Sequence, residues 1–169
     1  VKVGMSATDV PYAALEPLTA VHDSVTGAIS GWLALNGSSL NAYDANFANP
    51  TLISTFTTKP SVLATAPDGR VVLHIDNQLR VYDPQATPPA LSASLGTVAG
   101  IQNARRDTTH VYFDDGASLY RLPLDGSAAV SLVQTGTGAV WVIALTDNRL
   151  GYWDDRAVRS VPKAGCSPV

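Results

Sequence analysis

Glutamate and lysine are nearly missing from this chain. Of 169 residues one is Glu, Glu16, against thirteen Asp, and three are Lys against eight Arg. Helix surfaces usually draw on Glu and Lys, whereas Asp bonds nearby backbone and prefers turns, so a mostly helical protein is excluded. Cysteine occurs once, as Cys166 near the C-terminus. A single thiol can neither close a disulfide within the chain nor build a zinc site. It reads as an exposed tail thiol, or as the partner of a cysteine in a segment beyond this sequence. No apolar run approaches the roughly 20 residues of a membrane span, since the most apolar stretch, 139–145, is only strand length. Basic clusters are scarce too. The net charge is −3 and Arg105-Arg106 is the one adjacent basic pair, which leaves no electrostatic footprint for nucleic acid.

What the chain has is 46% apolar content with 15% charged residues, enough for a real core. Because its first residue is Val rather than Met, it is expected to be processed or cut from something longer, and an extracytoplasmic location is the expectation. An internal period organises the rest. The fourteen residues from Gly31 align with the fourteen from Arg70, so that Leu40, Tyr43 and Asp44 fall on Leu79, Tyr82 and Asp83 at a constant shift of 39. Units beginning at His110 and Arg149 put Leu119 and Val158 at the same place, and Pro123 and Gly126 fall on Pro162 and Gly165. Turn residues keep this register: Thr26-Gly27, Asp68-Gly69, Asp107-Thr108 and Asp147-Asn148 mark the start of the four units.

Each unit reads as four short strands separated by turns; for the second these are 61–66, 70–75, 78–82 and 90–95. A period near 40 made of four short antiparallel strands is the signature of a β-propeller blade, which needs neighbours to bury both its faces. The expected fold is therefore all-β and β-propeller-like, with about four blades of four antiparallel strands over 18–165. Residues 1–17 would be an N-terminal strand or the remnant of a preceding blade, and 166–169 a tail. A β-sandwich is the alternative, but it does not require the 39-residue self-similarity.

Tyr112-Phe113-Asp114-Asp115, followed by Leu119-Tyr120-Arg121-Leu122-Pro123-Leu124-Asp125-Gly126, resembles the YWTD repeat of six-bladed propellers and the related repeats of TolB-like bacterial propellers. Tyr152-Trp153-Asp154-Asp155, with Arg159 and the Gly165 turn, is similar to a second copy. Asp stands where the motif has Thr in both copies, so the resemblance implies the fold superfamily rather than its receptor branch. Four units are fewer than the six blades this resemblance implies. The expected solutions are an arc of a larger ring, a ring completed by a second copy in a homodimer, and a four-bladed ring closed by a strand from residues 2–14. An open arc leaves apolar faces exposed at both ends, which favours association.

Chemistry is thinly represented. The hairpin turns between second and third strands place Asp76, Asp114, Asp115, Asp154, Asp155 and Arg156 on one expected rim, able to hold a cation or a basic partner by Coulomb attraction. The competing explanation is that tight hairpins simply select Asn-Gly and Asp-Gly for positive φ. His22 and Asp23 are the catalytic candidates, a general-base pair on a strand expected to line a channel, although adjacent strand residues point to opposite faces. His22, His74 and His110 show none of the familiar short metal-ligand spacings. Gly136-Thr-Gly-Ala-Val-Trp141 lacks the third Gly and the Lys of a nucleotide loop and reads as a loop between blades. Trp32, Trp141 and Trp153 read as packing between blades, with stacking on a sugar or peptide as the alternative. The function these residues imply is a non-catalytic binding or scaffold module whose loop face meets a protein or peptide partner, or further blades of the same protein. The alternatives are a propeller-type hydrolase or lactonase with a divalent cation in its channel, and a purely structural segment of a larger surface protein.

Overall fold

Short alternating segments punctuated by Asp, Gly and Asn turn into strands along the whole chain. The computed structural model describes residues 15–23 and 25–164 and contains fourteen strands, with no helix among the described residues. The first sheet is a meander of β1 (Leu15–His22), β2 (Ile29–Asn36), β3 (Ser39–Asp44) and β4 (Thr51–Thr55). The second is β5 (Ser61–Thr65), β6 (Val71–Ile75), β7 (Gln78–Asp83) and β8 (Ala90–Leu91). A third, six-stranded sheet runs in sequence order from β9 (Asn103–Arg106) through β10 (His110–Asp114), β11 (Gly116–Pro123), β12 (Ser131–Leu145) and β13 (Arg149–Trp153) to β14 (Val158–Pro162). All pairings are antiparallel. Because only neighbours in sequence pair, the connections within each sheet are short turns or loops, as a period-two pattern with frequent turn residues demands.

The 15-residue β12 belongs to two neighbourhoods. Its residues Ser131 to Thr135 pair with β11, whereas Trp141 to Leu145 pair with β13. Between Gly116 and Ser118 of β11, β12 advances from Val140 to Thr135, so the extra chain is absorbed as a bulge in an extended strand. The 136–141 segment, expected as a loop between blades, is therefore the middle of a strand. It need not loop out, because the same extended backbone serves as the last strand of one four-stranded wing and the first of the next. A second difference lies at 90–95, where only Ala90–Leu91 is a strand. The chain nevertheless continues along β7: Ser92 and Leu95 donate N–H groups to Val81 and Leu79, and the Ser92 hydroxyl accepts from Val81 N–H in place of a backbone carbonyl. The strand expected from residues 2–14 and Cys166 with the tail lie outside the described residues.

Three apolar layers hold these units face to face. Leu33, Leu35 and Leu40 of the first sheet pack on Val71, Leu73 and Tyr82 of the second. On the opposite side of that second sheet, Val72 and Leu79 pack on Val111, Phe113 and Leu122 of the β9–β12 wing. Tyr112 and Leu119 of that wing then pack on Leu150, Tyr152 and Val161 of the β12–β14 wing. Strands such as β6 and β10 are apolar on both sides because both sides are covered, so they read as nearly continuous apolar runs. Each unit thus has a leading side, toward the sheet before it, and a trailing side, toward the sheet after it. The cross-strand pairs Val71↔Tyr82, Val111↔Leu122 and Leu150↔Val161 are the centres of three leading sides, and Trp32↔Tyr43 occupies the same place on the first sheet.

The two ends of this stack differ from its interior. On the leading side of the first sheet, Tyr43 is stacked on Phe47 at 4.4 Å and Trp32 meets Phe47 edge-on at 6.2 Å. On the trailing side of the β12–β14 wing, Trp141, Ile143 and Val158 are 47%, 42% and 69% exposed. Trp141 and Trp153, expected to pack between blades, instead lie on this outer side as direct cross-strand partners. The reason is positional: inward places on these strands are taken by Val140, Val142, Leu150 and Tyr152, and alternation turns the tryptophans outward.

Candidate functional site

The rim is built from the hairpin turns that follow β2, β6, β10 and β13. Tight two-residue turns need positive φ, and Asp76 and Asn77 adopt 49° and 62° and Gly37 58°, while in the longer turn after β13 Asp155 adopts 66°. The turn residues are therefore explained locally before any function is invoked. What the structure adds is where their carboxylates point. Asp76 accepts the Thr58 hydroxyl at 2.6 Å, the Thr58 N–H at 2.9 Å and the Thr57 N–H at 3.4 Å, all from the connection that leads into β5. These donors, the Thr58 hydroxyl foremost, hold its carboxyl below the usual range. Asp155 does the same for the β12–β14 wing, accepting the Ala139 N–H at 3.0 Å.

Asp114 sits one step inside the rim and is fully buried. Its Oδ2 accepts the Val142 N–H at 2.7 Å, and the Asn103 amide donates to it at 3.2 Å, so one carboxylate ties β10 to β9 and to β12. Burial pushes its pKa up against the opposing pull of these donors. His74 has the matching role in the preceding unit, with Nε2 2.8 Å from the Val98 carbonyl. Asp115 folds back on its own turn, accepting the N–H groups of Ala117 and Ser118 and the Tyr120 hydroxyl at 2.8–2.9 Å. Burial raises the Asp115 carboxyl, but these donors outweigh it and the net shift is downward. Asp154 is buried and paired with Arg159. Arg156 stands exposed in the same turn, with no bond to the described residues. Five of the six rim residues thus spend their charge on the turns and strands that position them.

His22 and Asp23 lie at the other end of β1, in the turn to β2. His22 Nδ1 is 3.1 Å from the Gly27 carbonyl, and Asp23 Oδ1 accepts Val25 N–H, Thr26 N–H and the Thr26 hydroxyl. The Thr26 N–H is the main cause of a lowered Asp23 pKa. Both side chains are engaged within their own turn, and neither bonds the other. Among the described residues no three His, Cys, Asp or Glu side chains gather as a metal ion would require. No helix there is long and apolar enough to cross a membrane.

One surface escaped sequence reasoning, and another was anticipated only as the uncovered end of an arc. The first is a groove of about 670 Å³ between the outer strands of the first two sheets, lined by Leu52, Ile53, Arg80, Tyr82, Pro89 and Leu91 among others. No spacing in the sequence signals it, because it lies between strands of two different sheets. The other is the outer side of the β12–β14 wing, which did carry a signal: Val158 aligns with three leucines that the fold buries.

No family model matches the chain, and no curated protein matches it. Solved structures do. The computationally designed Ika4 protein is 13% identical over 86% of this chain and 91% of that one, with a TM-score of 0.53, a likeness of fold. PorZ, an essential bacterial surface component of the type-IX secretion system of Porphyromonas gingivalis, is 13% identical over 88% of this chain and 21% of its own, with a TM-score of 0.45. A chain of the mitotic checkpoint complex is 14% identical over 96% and 59%, with a TM-score of 0.48.

Proposed function

We propose that the chain is a β-propeller segment, four repeats over 18–165 of the YWTD and TolB-like kind, acting as a non-catalytic binding and scaffold module in an extracytoplasmic setting. Its hairpin-turn face receives a protein or peptide partner. The observation that carries this reading is the paired use of Asp76 and Asp155, each at positive φ, Asp76 bonding the segment that leads into β5 and Asp155 the middle of β12, where the β12–β14 wing begins. A turn face held this way loses little conformational entropy when a partner docks. Arg156 gives that face an exposed cation for an acidic or carbonyl-bearing group.

The test is selection of peptide ligands from a displayed library on the immobilised chain, followed by calorimetry. Arg156→Glu and Ala117→Arg, both exposed at the rim, weaken binding about tenfold or more, while Ser127→Arg in a turn at the opposite end leaves it unchanged. Ligands that tolerate both rim changes would sink the assignment. A tightly bound divalent ion whose removal lowers the melting temperature would replace it with the hydrolase reading.

A further inference from the structure

The trailing side of the β12–β14 wing has the composition of an interior layer and the exposure of a surface. Leu40, Leu79 and Leu119 are the trailing-side residues of their units at one shared position, and all three are fully buried. Val158 holds that position in the last unit and is the most exposed residue of the row Trp141↔Trp153↔Val158, which crosses three strands. A contiguous row of two tryptophans and a valine, with Ile143 beside it, is an apolar patch of the kind that marks an interface.

The layers already present say what would cover it. In each of the three, a trailing side packs on a leading side of the next unit, never on another trailing side. One leading side in the chain has no described sheet before it, that of β1–β4, centred on Trp32↔Tyr43. These two sides also suit one another in volume, Phe47 laid over the buried Tyr43 forming part of the leading one. Where interior trailing sides have Leu33, Val72 and Tyr112, the last unit has Gly151. Where interior leading sides have Val71, Val111 and Leu150, the first unit has Trp32. The first side lacks a side chain at its centre, and the second carries the largest one. Within one chain these sides do not meet, because Trp141 and Val158 are left open to solvent.

We propose that the β12–β14 face docks on the β1–β4 face of a second copy of this chain, and that a two-fold axis repeats the contact so that two copies close into a ring of stacked sheets. The contact is heterologous, head of one copy to tail of the other, and closure is what keeps it from propagating into a fibre. This inference stands on the stacking of the sheets and is independent of what binds the turn face.

Sedimentation of the full chain over a range of concentrations tests it, with Val158→Arg altering the trailing face and Ser30→Arg, exposed on the leading side beside Trp32, altering the other. The wild type sediments at twice the mass of one chain. Either variant alone weakens the dimer about a hundredfold or more, since each dimer then carries two damaged contacts. An equimolar mixture of the variants regains association, because one contact between them is intact on both sides. Trp32→Ala, which keeps the strand but removes the filling ring, is a second leading-face variant with the same expected loss. A wild type that stays monomeric at every concentration overturns the proposal. So does a dimer that leading-face changes leave untouched, which would mean two trailing faces pair with each other.

Discussion

Leu119 and Val158 stand at corresponding positions 39 residues apart, yet Leu119 is fully buried and Val158 is 69% exposed. Both sit on the trailing side of the strand after a hairpin turn. Leu119 is covered by Leu150, Tyr152 and Val161 of the next wing, whereas no described sheet lies over Val158.

That contrast sets the first prediction. Leu119→Ala removes a packed side chain from a layer that cannot collapse around it and costs about 2–5 kcal/mol. Val158→Ala in the isolated chain stays within about 0.5 kcal/mol of the wild type. Urea denaturation of the two variants at low protein concentration checks both.

Asp114 gives the second. Asp114→Ala leaves the buried Val142 N–H and the Asn103 amide without their acceptor and costs about 1–3 kcal/mol. Asp114→Asn keeps an oxygen for the Val142 N–H and costs less. The sign of the pH effect follows from the raised folded-state pKa. The folded protein takes up this proton at a pH where the unfolded chain has not, so the wild type gains on Asp114→Asn as pH falls through the raised value toward the ordinary one near ~3.9. Denaturation of the pair at pH 7 and at pH 4 reads the difference.

The third concerns Lys163, whose ammonium lies 2.7 Å from Asp107 and 5.4 Å from the centre of the Tyr112 ring. Burial raises the Asp107 carboxyl, but Lys163, with the N–H groups of Thr109 and His110, brings it well below the usual range. A depressed folded-state pKa stabilises the protein above the unfolded value and ceases to as pH falls through the folded one. Lys163→Met is therefore less stable than the wild type at pH 7, and the gap narrows as pH drops below about 4. A gap that is constant with pH would show that lost packing, not charge, is responsible. Burial of Tyr112, together with the same Asp107, pushes the Tyr112 phenol up to about 12, so its ultraviolet titration shifts toward the ordinary value of ~10 in Lys163→Met only if burial or the Asp107 contact is lost.

Gly69 gives the fourth. Its φ is +85° and an added Cβ would stand 2.6 Å from the His22 carbonyl oxygen. Gly69→Ala is expected to cost about 1–3 kcal/mol, whereas Gly100→Ala, with open space around it, falls near zero. Thermal melts of the two variants make the comparison.

The period of 39, read from Leu40, Leu79, Leu119 and Val158, located the hairpins and their turns, because a strand's side-chain alternation and a tight turn's need for Asp, Asn or Gly are local requirements written residue by residue. It anticipated β6, β7 and their Asp76-Asn77 turn nearly to the residue. It failed at 136–141, where two glycines suggested a loop, because whether an extended segment pairs or loops out depends on strands on either side of it that belong to different units. It also put Trp141 and Trp153 inside, since strand alternation does not state which side of a unit another sheet covers. The same holds for the rim. The Asp residues were legible as turn formers, but that Asp76 reaches Thr58, Asp155 reaches Ala139 and Asp114 reaches Val142 was decided by contacts between segments 16–28 residues apart. Local stereochemistry determined the elements of this protein. Which of their faces are covered, and which stay open, was decided by tertiary stacking, because burial belongs to pairs of sheets and not to any one of them.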